Sequence, residues 1–170
     1  MTFSLIARDA TTGAFGLAIS SSSPAVAARC AHARAGVGVV ASQNVTNPAL
    51  GPRVLDLLAA GSDAQTALKA ALAQERFPDY RQLLVVDTEG NTAIHSGSHS
   101  LGVHTHAHGE QAAAAGNLLA DEDVIRALLA GYADSAADAF EERLLDGQTG
   151  GISGFQGDHE QGQCNPHLCG

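Results

Sequence analysis

The chain has no tryptophan, five phenylalanines and two tyrosines, so aromatic residues supply only 4% of its 170 positions. Large rings cannot dominate such an interior. The 45% hydrophobic share is rich in alanine instead, which implies layers in close contact through small side chains. Cysteine is equally scarce. Cys30, Cys164 and Cys169 make an odd count, and no basic segment followed by an apolar core opens the chain, so neither a disulfide framework nor a secretory signal is expected. Without secretion the glycosylation triplet Asn44-Val45-Thr46 carries no meaning, and the expected location is cytoplasmic. Basic residues are outnumbered, 9 against 18 acidic ones, for a net charge of −9. Such a surface repels phosphate backbones and anionic lipid, which excludes nucleic acid and membranes as partners. No apolar run approaches the roughly 18 residues of a membrane span. Glycine-rich nucleotide loops and the G-x-S-x-G elbow are missing too, so neither nucleotide binding nor a serine elbow is supported.

What is present fits one domain, and a chain of this length buries roughly 70% of its unfolded surface without a disulfide or metal. Residues 3–8 and 14–20 read as a hairpin. Phe15, Leu17 and Ile19 form a bulky face, and Gly16, Ala18 and Ser20 form a small one that lets a neighbour approach closely. Ala25 to Ala35 reads as a short helix or a loop with a helical turn, and Val37 to Val45 as a third strand. Two helices follow. Pro52 starts the first, which buries Val54, Leu55 and Leu58; Ser62 caps the second, with Gln65 completing a capping box. A second hairpin turns at 87–91, residues 96–111 form a Gly, Ser and His rich stretch, and Asn117 to Ala120 read as a weak strand. Asp121 and Ser135 cap the last two helices. From Gly147 to Gly170 an irregular, glycine-rich tail is expected, leaving 1–146 as the domain. Antiparallel strand sets alternating with helix pairs predict an α+β fold with helices covering the sheets.

Several residue groups could carry chemistry. Thr2 becomes the first residue if Met1 is removed, as happens before a small second residue. Its α-amine, with an ordinary pKa of about 7.7–8.0, would then stand beside its own hydroxyl as a built-in base. Taken alone, a Met-Thr start is common and carries little weight. His104, His106 and His108 alternate, so an extended backbone would place them on one face, with His95 and His99 just upstream. Three imidazoles could hold zinc, but no carboxylate or cysteine at ligand spacing completes the set, and a polar loop is the plainer reading. Cys164 and Cys169, with His159 and His167, have no standard metal spacing. Cys30 reads as a packing residue, and Ser20 to Ser23 as a strand-end turn. Ser42-Gln43-Asn44 is a polar end to a core strand. Gly116-Asn117 is either a turn or an amide donor aimed at an oxyanion.

Taken together, several segments resemble the domain of unknown function 1028 family. They are Thr2 to Asp9, Thr12-Gly13 with Gly16, Arg34 to Gln43, Asn47-Pro48 with Gly51-Pro52, and Leu55 to Gly61. The series continues with Tyr80-Arg81-Gln82, Val86-Asp87, Gly90, His95-Ser96-Gly97, Gly116 to Leu119 and Glu142 to Leu145. That family is grouped with the N-terminal nucleophile hydrolases. The resemblance therefore implies an αββα four-layer sandwich of antiparallel sheets and cleavage of an amide or peptide bond in a small substrate. It implies Thr2 as nucleophile, Asn117 or Asn44 as oxyanion donor, Ser42, Gln43, Asn44 and His95 as pocket residues, and no cofactor. After Gly150-Gly151 the sequence departs from the pattern expected of the family, which predicts an incomplete C-terminal edge. An unpaired edge would favour pairing into a homo-oligomer. The alternative is an inactive, truncated member that binds a ligand, with the three histidines as a metal site.

Overall fold

Strand residues alternate in and out with a period of two, so a sheet covered on both faces must sort its side chains into two cores. The computed structural model describes residues 1–156 and shows this sorting twice. One sheet contains β1 (Thr2–Arg8), β2 (Phe15–Ser21), β7 (Val103–Gly109) and β8 (Ala112–Leu119), in the order β2-β1-β8-β7. The other contains β3 (Ala31–Arg34), β4 (Gly38–Asn44), β5 (Arg81–Asp87) and β6 (Thr92–Ser96), in sequential order. Every pairing is antiparallel. A four-residue helix α1 (Ala27–Cys30) precedes β3, α2 (Leu50–Ala59) and α3 (Ala64–Ala73) follow β4, and α4 (Asp123–Ala133) and α5 (Phe140–Gln156) follow β8.

Phe3, Leu5, Ala7, Ala112 and Ala114 point outward from the first sheet and pack with Val124, Ile125, Leu128 and Leu144 of α4 and α5. Val40, Leu83 and Val85 do the same from the second sheet, against Val54, Leu55, Leu58 and Leu68 of α2 and α3. The intervening residues meet between the sheets, where Ile6, Ala113 and Ala115 pack on Val39, Ala41, Leu84 and Val86. The result is an α+β sandwich of four layers, helix on sheet on sheet on helix. The small face of β2 serves as expected: a Cβ at Gly16 would overlap Leu144 and Phe140 of α5.

The structure corrects four readings. Ala31–Arg34 is a strand within the stretch read as helix or loop, and its backbone pairs with β4. Val103–Gly109 is strand β7, because Ala112–Leu119 offers a nearly continuous small-residue partner. Asp63 rather than Ser62 is the N-cap of α3, its carboxylate accepting the Thr66 amide at 2.8 Å. The fourth correction concerns the end of the domain. Helix α5 continues ten residues past the expected limit at 146. Glycine ordinarily weakens a helix, which is why this stretch reads as irregular. Here the glycines form a contact face: a Cβ at Gly147 or Gly150 would press on the Leu128 or Ala127 carbonyl of α4, and one at Gly131 on the Asp146 carbonyl. Two helix backbones in near contact leave no room for side chains. Arg143 pairs with Asp9, and Gln148 Nε2 donates to the Ala18 carbonyl at 3.1 Å, so α5 is tied to β2 and its turn. Cys164, Cys169, His159 and His167 lie outside the described residues.

Candidate functional site

The space between the sheets is apolar at one end and polar at the other. Along β1 the inward side chains are Thr2, Ser4 and Ile6, and opposite them on β8 stand Asn117, Ala115 and Ala113. The second sheet answers with Gln43 on β4 and Gln82 on β5, which are cross-strand partners. These groups are buried, and a buried polar group without a partner costs about 1–3 kcal/mol. They satisfy one another. Ser4 Oγ donates to Gln43 Oε1 at 2.6 Å, and Gln43 Nε2 donates to Gln82 Oε1 at 2.8 Å and to the Ala115 carbonyl at 3.1 Å. Gln82 Nε2 donates to Ser96 Oγ at 3.0 Å and to the Gly116 carbonyl at 3.1 Å. Asn117 Nδ2 donates to Gln82 Oε1 at 3.1 Å, which fixes which way the Asn117 amide faces.

Thr2 lies at the open end of this network. It sits in register with Ser21 on β2 and Asn117 on β8, so its neighbours on both strands turn their side chains to the same face. Thr2 Oγ1 and Ser21 Oγ share a hydrogen bond of 2.8 Å. Around them opens a cleft of about 180 Å³, whose walls include Met1, Ser22, Ser23, Arg29, Cys30, Asn44, Thr46, Leu101 and Leu118. Met1 occupies its mouth: the Met1 amine donates to Ser22 Oγ at 3.3 Å, and its carbonyl accepts the Ser22 amide at 3.2 Å. A larger cleft of about 490 Å³, lined by Arg8, Glu110, Tyr132 and Arg143, opens at the other end of β1. None of the residues expected to act in amide cleavage lines it, and Arg143 is already neutralised by Asp9. Chemistry, not size, places the candidate site at Thr2.

The anticipated residues divide. Thr2, Asn117, Gln43 and Asn44 line the cleft. Asn44 is held in a left-handed backbone, φ 71°, with its amide committed: Nδ2 donates to the Tyr80 carbonyl at 2.7 Å and Oδ1 accepts the Leu101 amide at 3.2 Å. Asn117 Nδ2 likewise has one N–H bound, to Gln82, and of the two amides only Asn117 is in register with Thr2. Ser42 and His95 do not line the cleft. Ser42 stands one residue out of phase with Gln43 and donates to the Asn47 carbonyl at 3.2 Å. His95 pairs with Leu83, whose side chain faces the helices, and its Nε2 bonds the Pro78 carbonyl at 2.9 Å.

The three histidines of β7 likewise separate. A register shift between Val103 and Thr105 breaks the alternation at His104, whose Nδ1 turns to the Gly102 carbonyl at 3.0 Å. His106 and His108 face the other sheet instead, bonding Ser96 Oγ at 3.0 Å and Thr92 Oγ1 at 2.6 Å. They close the gap between the edges of the two sheets. Burial, followed by repulsion from His108, His104 and His95, holds the His106 pKa below the usual histidine range. Among the described residues no group of three or more His, Cys, Asp or Glu side chains is arranged to hold a metal ion.

Gln82 and Arg29 stand at the candidate site without being singled out for it by sequence reasoning, and Ser21 belongs to the Ser20 to Ser23 stretch read as a strand-end turn. Gln82 carried a signal, a glutamine immediately before the apolar run Leu83 to Val86. Arg29 carried none, because α1 and the preceding turn bring it to the cleft only through the fold.

A family model described as a family of unknown function, DUF1028, matches residues 2–163. No curated protein matches the sequence. A crystal structure of a DUF1028 protein from Silicibacter pomeroyi is similar, with a TM-score of 0.86 and 31% sequence identity. That similarity covers 89% of this chain and 67% of the other. No described helix is long and apolar enough to cross a membrane. By sequence and by fold, the chain belongs to the DUF1028 family.

Proposed function

We propose that the protein hydrolyses an amide or peptide bond in a small substrate, with Thr2 as an N-terminal nucleophile once Met1 has been removed. The observation that carries this reading is the placing of Thr2 in the cleft, its hydroxyl bonded to Ser21 and its cross-strand neighbour Asn117 beside it. Loss of Met1 would free the Thr2 nitrogen as an α-amine and vacate the mouth of the cleft. In the reaction Thr2 Oγ1 attacks the substrate carbonyl carbon and its proton passes to the α-amine. The negative charge gathers on the carbonyl oxygen, where Asn117 Nδ2 has an N–H not committed to Gln82. The C–N bond then breaks, the leaving amine takes the proton, and an ester to Thr2 remains. Water, deprotonated by the same amine, releases the acid and restores the hydroxyl. The network behind Asn117 supplies a donor that does not reorganise during the reaction.

The reading extends to setting and assembly. Cys30 is buried without a disulfide partner among the described residues, in keeping with a cytoplasmic setting, and β2 and β3, edge strands among the described residues, could pair in a homo-oligomer. Intact mass comes first as a test: active protein is expected to lack Met1. Thr2→Ala is expected to reduce kcat/KM on a chromogenic anilide by on the order of a thousandfold or more, with Thr2→Ser retaining measurable turnover. Activity should rise with pH through the amine pKa, about 7.7–8.0. Full retention of Met1 in active protein, or undiminished turnover by Thr2→Ala, would overturn the assignment.

A further inference from the structure

Among the charged side chains, only Arg29 lines the cleft at Thr2; no aspartate or glutamate does. This is unexpected in a chain with twice as many acids as bases. Arg34, Arg81, Arg126 and Arg143 each pair with a carboxylate, whereas Arg29 pairs with none among the described residues. Its guanidinium is nevertheless held in place. NH1 donates to the Pro24 carbonyl at 3.1 Å and NH2 to Ser23 Oγ at 2.6 Å, both neutral acceptors that leave the charge uncompensated. A guanidinium has five N–H donors, so three remain for a ligand. Ser22, Ser23 and Thr46 also line the cleft, as do Leu101 and Leu118, both about half exposed.

We infer that Arg29 is the specificity determinant of this site and that the substrate is a small amide carrying a carboxylate on a short aliphatic chain. The inference rests on the hydrolase reading above for its amide, but not for its carboxylate. A planar guanidinium with three uncommitted N–H groups matches a carboxylate in charge and donor chemistry. The leucines accept the methylene chain. A lysine could not supply the same two-pronged contact. A neutral ligand would leave the positive charge unanswered.

Two measurements on the full chain separate this inference from the reading it rests on. In the first, binding of glutarate and of its neutral analogue glutaramide is compared by calorimetry, which needs no turnover. Glutarate is expected to bind about 10–100-fold more tightly, the span of one charge-assisted contact. Arg29→Gln should bring the two within about twofold, and Arg29→Lys should retain a few-fold difference. In the second, turnover of glutaryl-p-nitroanilide is compared with that of butyryl-p-nitroanilide, and of butyrylglycine with butyramide. The first pair places the carboxylate on the acyl half and the second on the leaving amine, so the preferred pair locates it. Equal binding of glutarate and glutaramide, or a preference that survives Arg29→Gln, would overturn the inference while leaving Thr2-dependent turnover intact. Selective glutarate binding with no Thr2-dependent turnover would instead sustain Arg29 and sink the hydrolase reading.

Discussion

Replacing Gln82 with leucine tests whether the polar end of the inter-sheet layer holds the site together. Gln82 makes four side-chain hydrogen bonds, accepting from Gln43 and Asn117 and donating to Ser96 and the Gly116 carbonyl. Their losses are unequal. Gln43 Nε2 keeps the Ala115 carbonyl, and Ser96 keeps His106, but Asn117 Nδ2 loses its one described partner in a nearly closed position. One orphaned buried amide costs about 1–3 kcal/mol, and the weakened remainder adds about 1 kcal/mol, for an expected loss of about 2–4 kcal/mol. Urea unfolding should be followed by far-UV circular dichroism, since the chain has no tryptophan to report. With a mid-range slope of about 2 kcal/mol per molar, the midpoint should fall by about 1–2 M. Gln82→Glu should be at least as damaging, because it sets a carboxylate oxygen against the Gly116 carbonyl and buries a charge. Pairing Gln82→Leu with Gln43→Leu should cost less than the sum of the two, since both single variants lose the same Gln43–Gln82 hydrogen bond. A Gln82→Leu variant within about 0.5 kcal/mol of the parent would refute the claim that this network carries stability.

Two further predictions probe the anchors of the helices. Asp63→Ala should lower the thermal midpoint by about 2–4 °C while Ser62→Ala leaves it unchanged within a degree or so, because the Asp63 carboxylate caps α3; the reverse order would restore the capping box read from sequence. Asp9, buried beside Arg143, has a pKa held below the usual aspartate range, first by the Thr12 amide, then by the Thr12 hydroxyl, the Thr11 amide and the Arg143 charge, against the opposing effect of burial. The unfolded chain therefore takes up this proton first as the pH falls. The stabilisation is complete above the ordinary aspartate value of about 3.9 and is lost as the pH drops through the folded pKa. Asp9→Asn should cost about 1–2 kcal/mol at neutral pH and flatten the acid limb of stability against pH, measured by urea midpoints from pH 3 to 7; an unchanged acid limb would show that Asp9 is not the group responsible.

The parts of the fold that sequence made visible are those decided by local rules. Both hairpins, the apolar stripe of α2 and the two-faced strand β2 follow from side-chain period and turn composition. The hidden parts are decided by distant partners. Strand β7 is polar and histidine-rich, and it becomes a strand because β8 presents a ladder of buried small residues. The end of α5 is glycine-rich, and it becomes a helix because α4 offers Gly131 and an exposed run of carbonyls at its contact face. Among the candidates, Gln43 is legible as part of a polar end to a core strand, Thr2 from its place behind a removable Met1, and Asn117 as a turn or an amide donor. Ser42 was misplaced by a single residue of phase. The same alternation that sends Gln43 to the cleft sends Ser42 to the helices, and the sequence does not say which of two adjacent polar residues faces inward.

That ambiguity is resolved by where polar groups find partners. An inward Gln43 meets Ser4, Gln82 and a β8 carbonyl, so its burial is compensated; an inward Ser42, on a strand shifted by one, would bring Val40 to the same face and send Val39, Ala41 and Gln43 to the helices. Register, core and site are thus one choice rather than three. The apolar end, from Ile6 to Val86, excludes water and fixes the spacing of the sheets. At that spacing the glutamines of one sheet reach the carbonyls of the other, and Asn117 is held between Thr2 and Gln82. A substitution that shifts the sheets at the apolar end should therefore be felt at Thr2 without touching it, because a lengthened contact leaves the buried Gln82 and Asn117 amides unsatisfied.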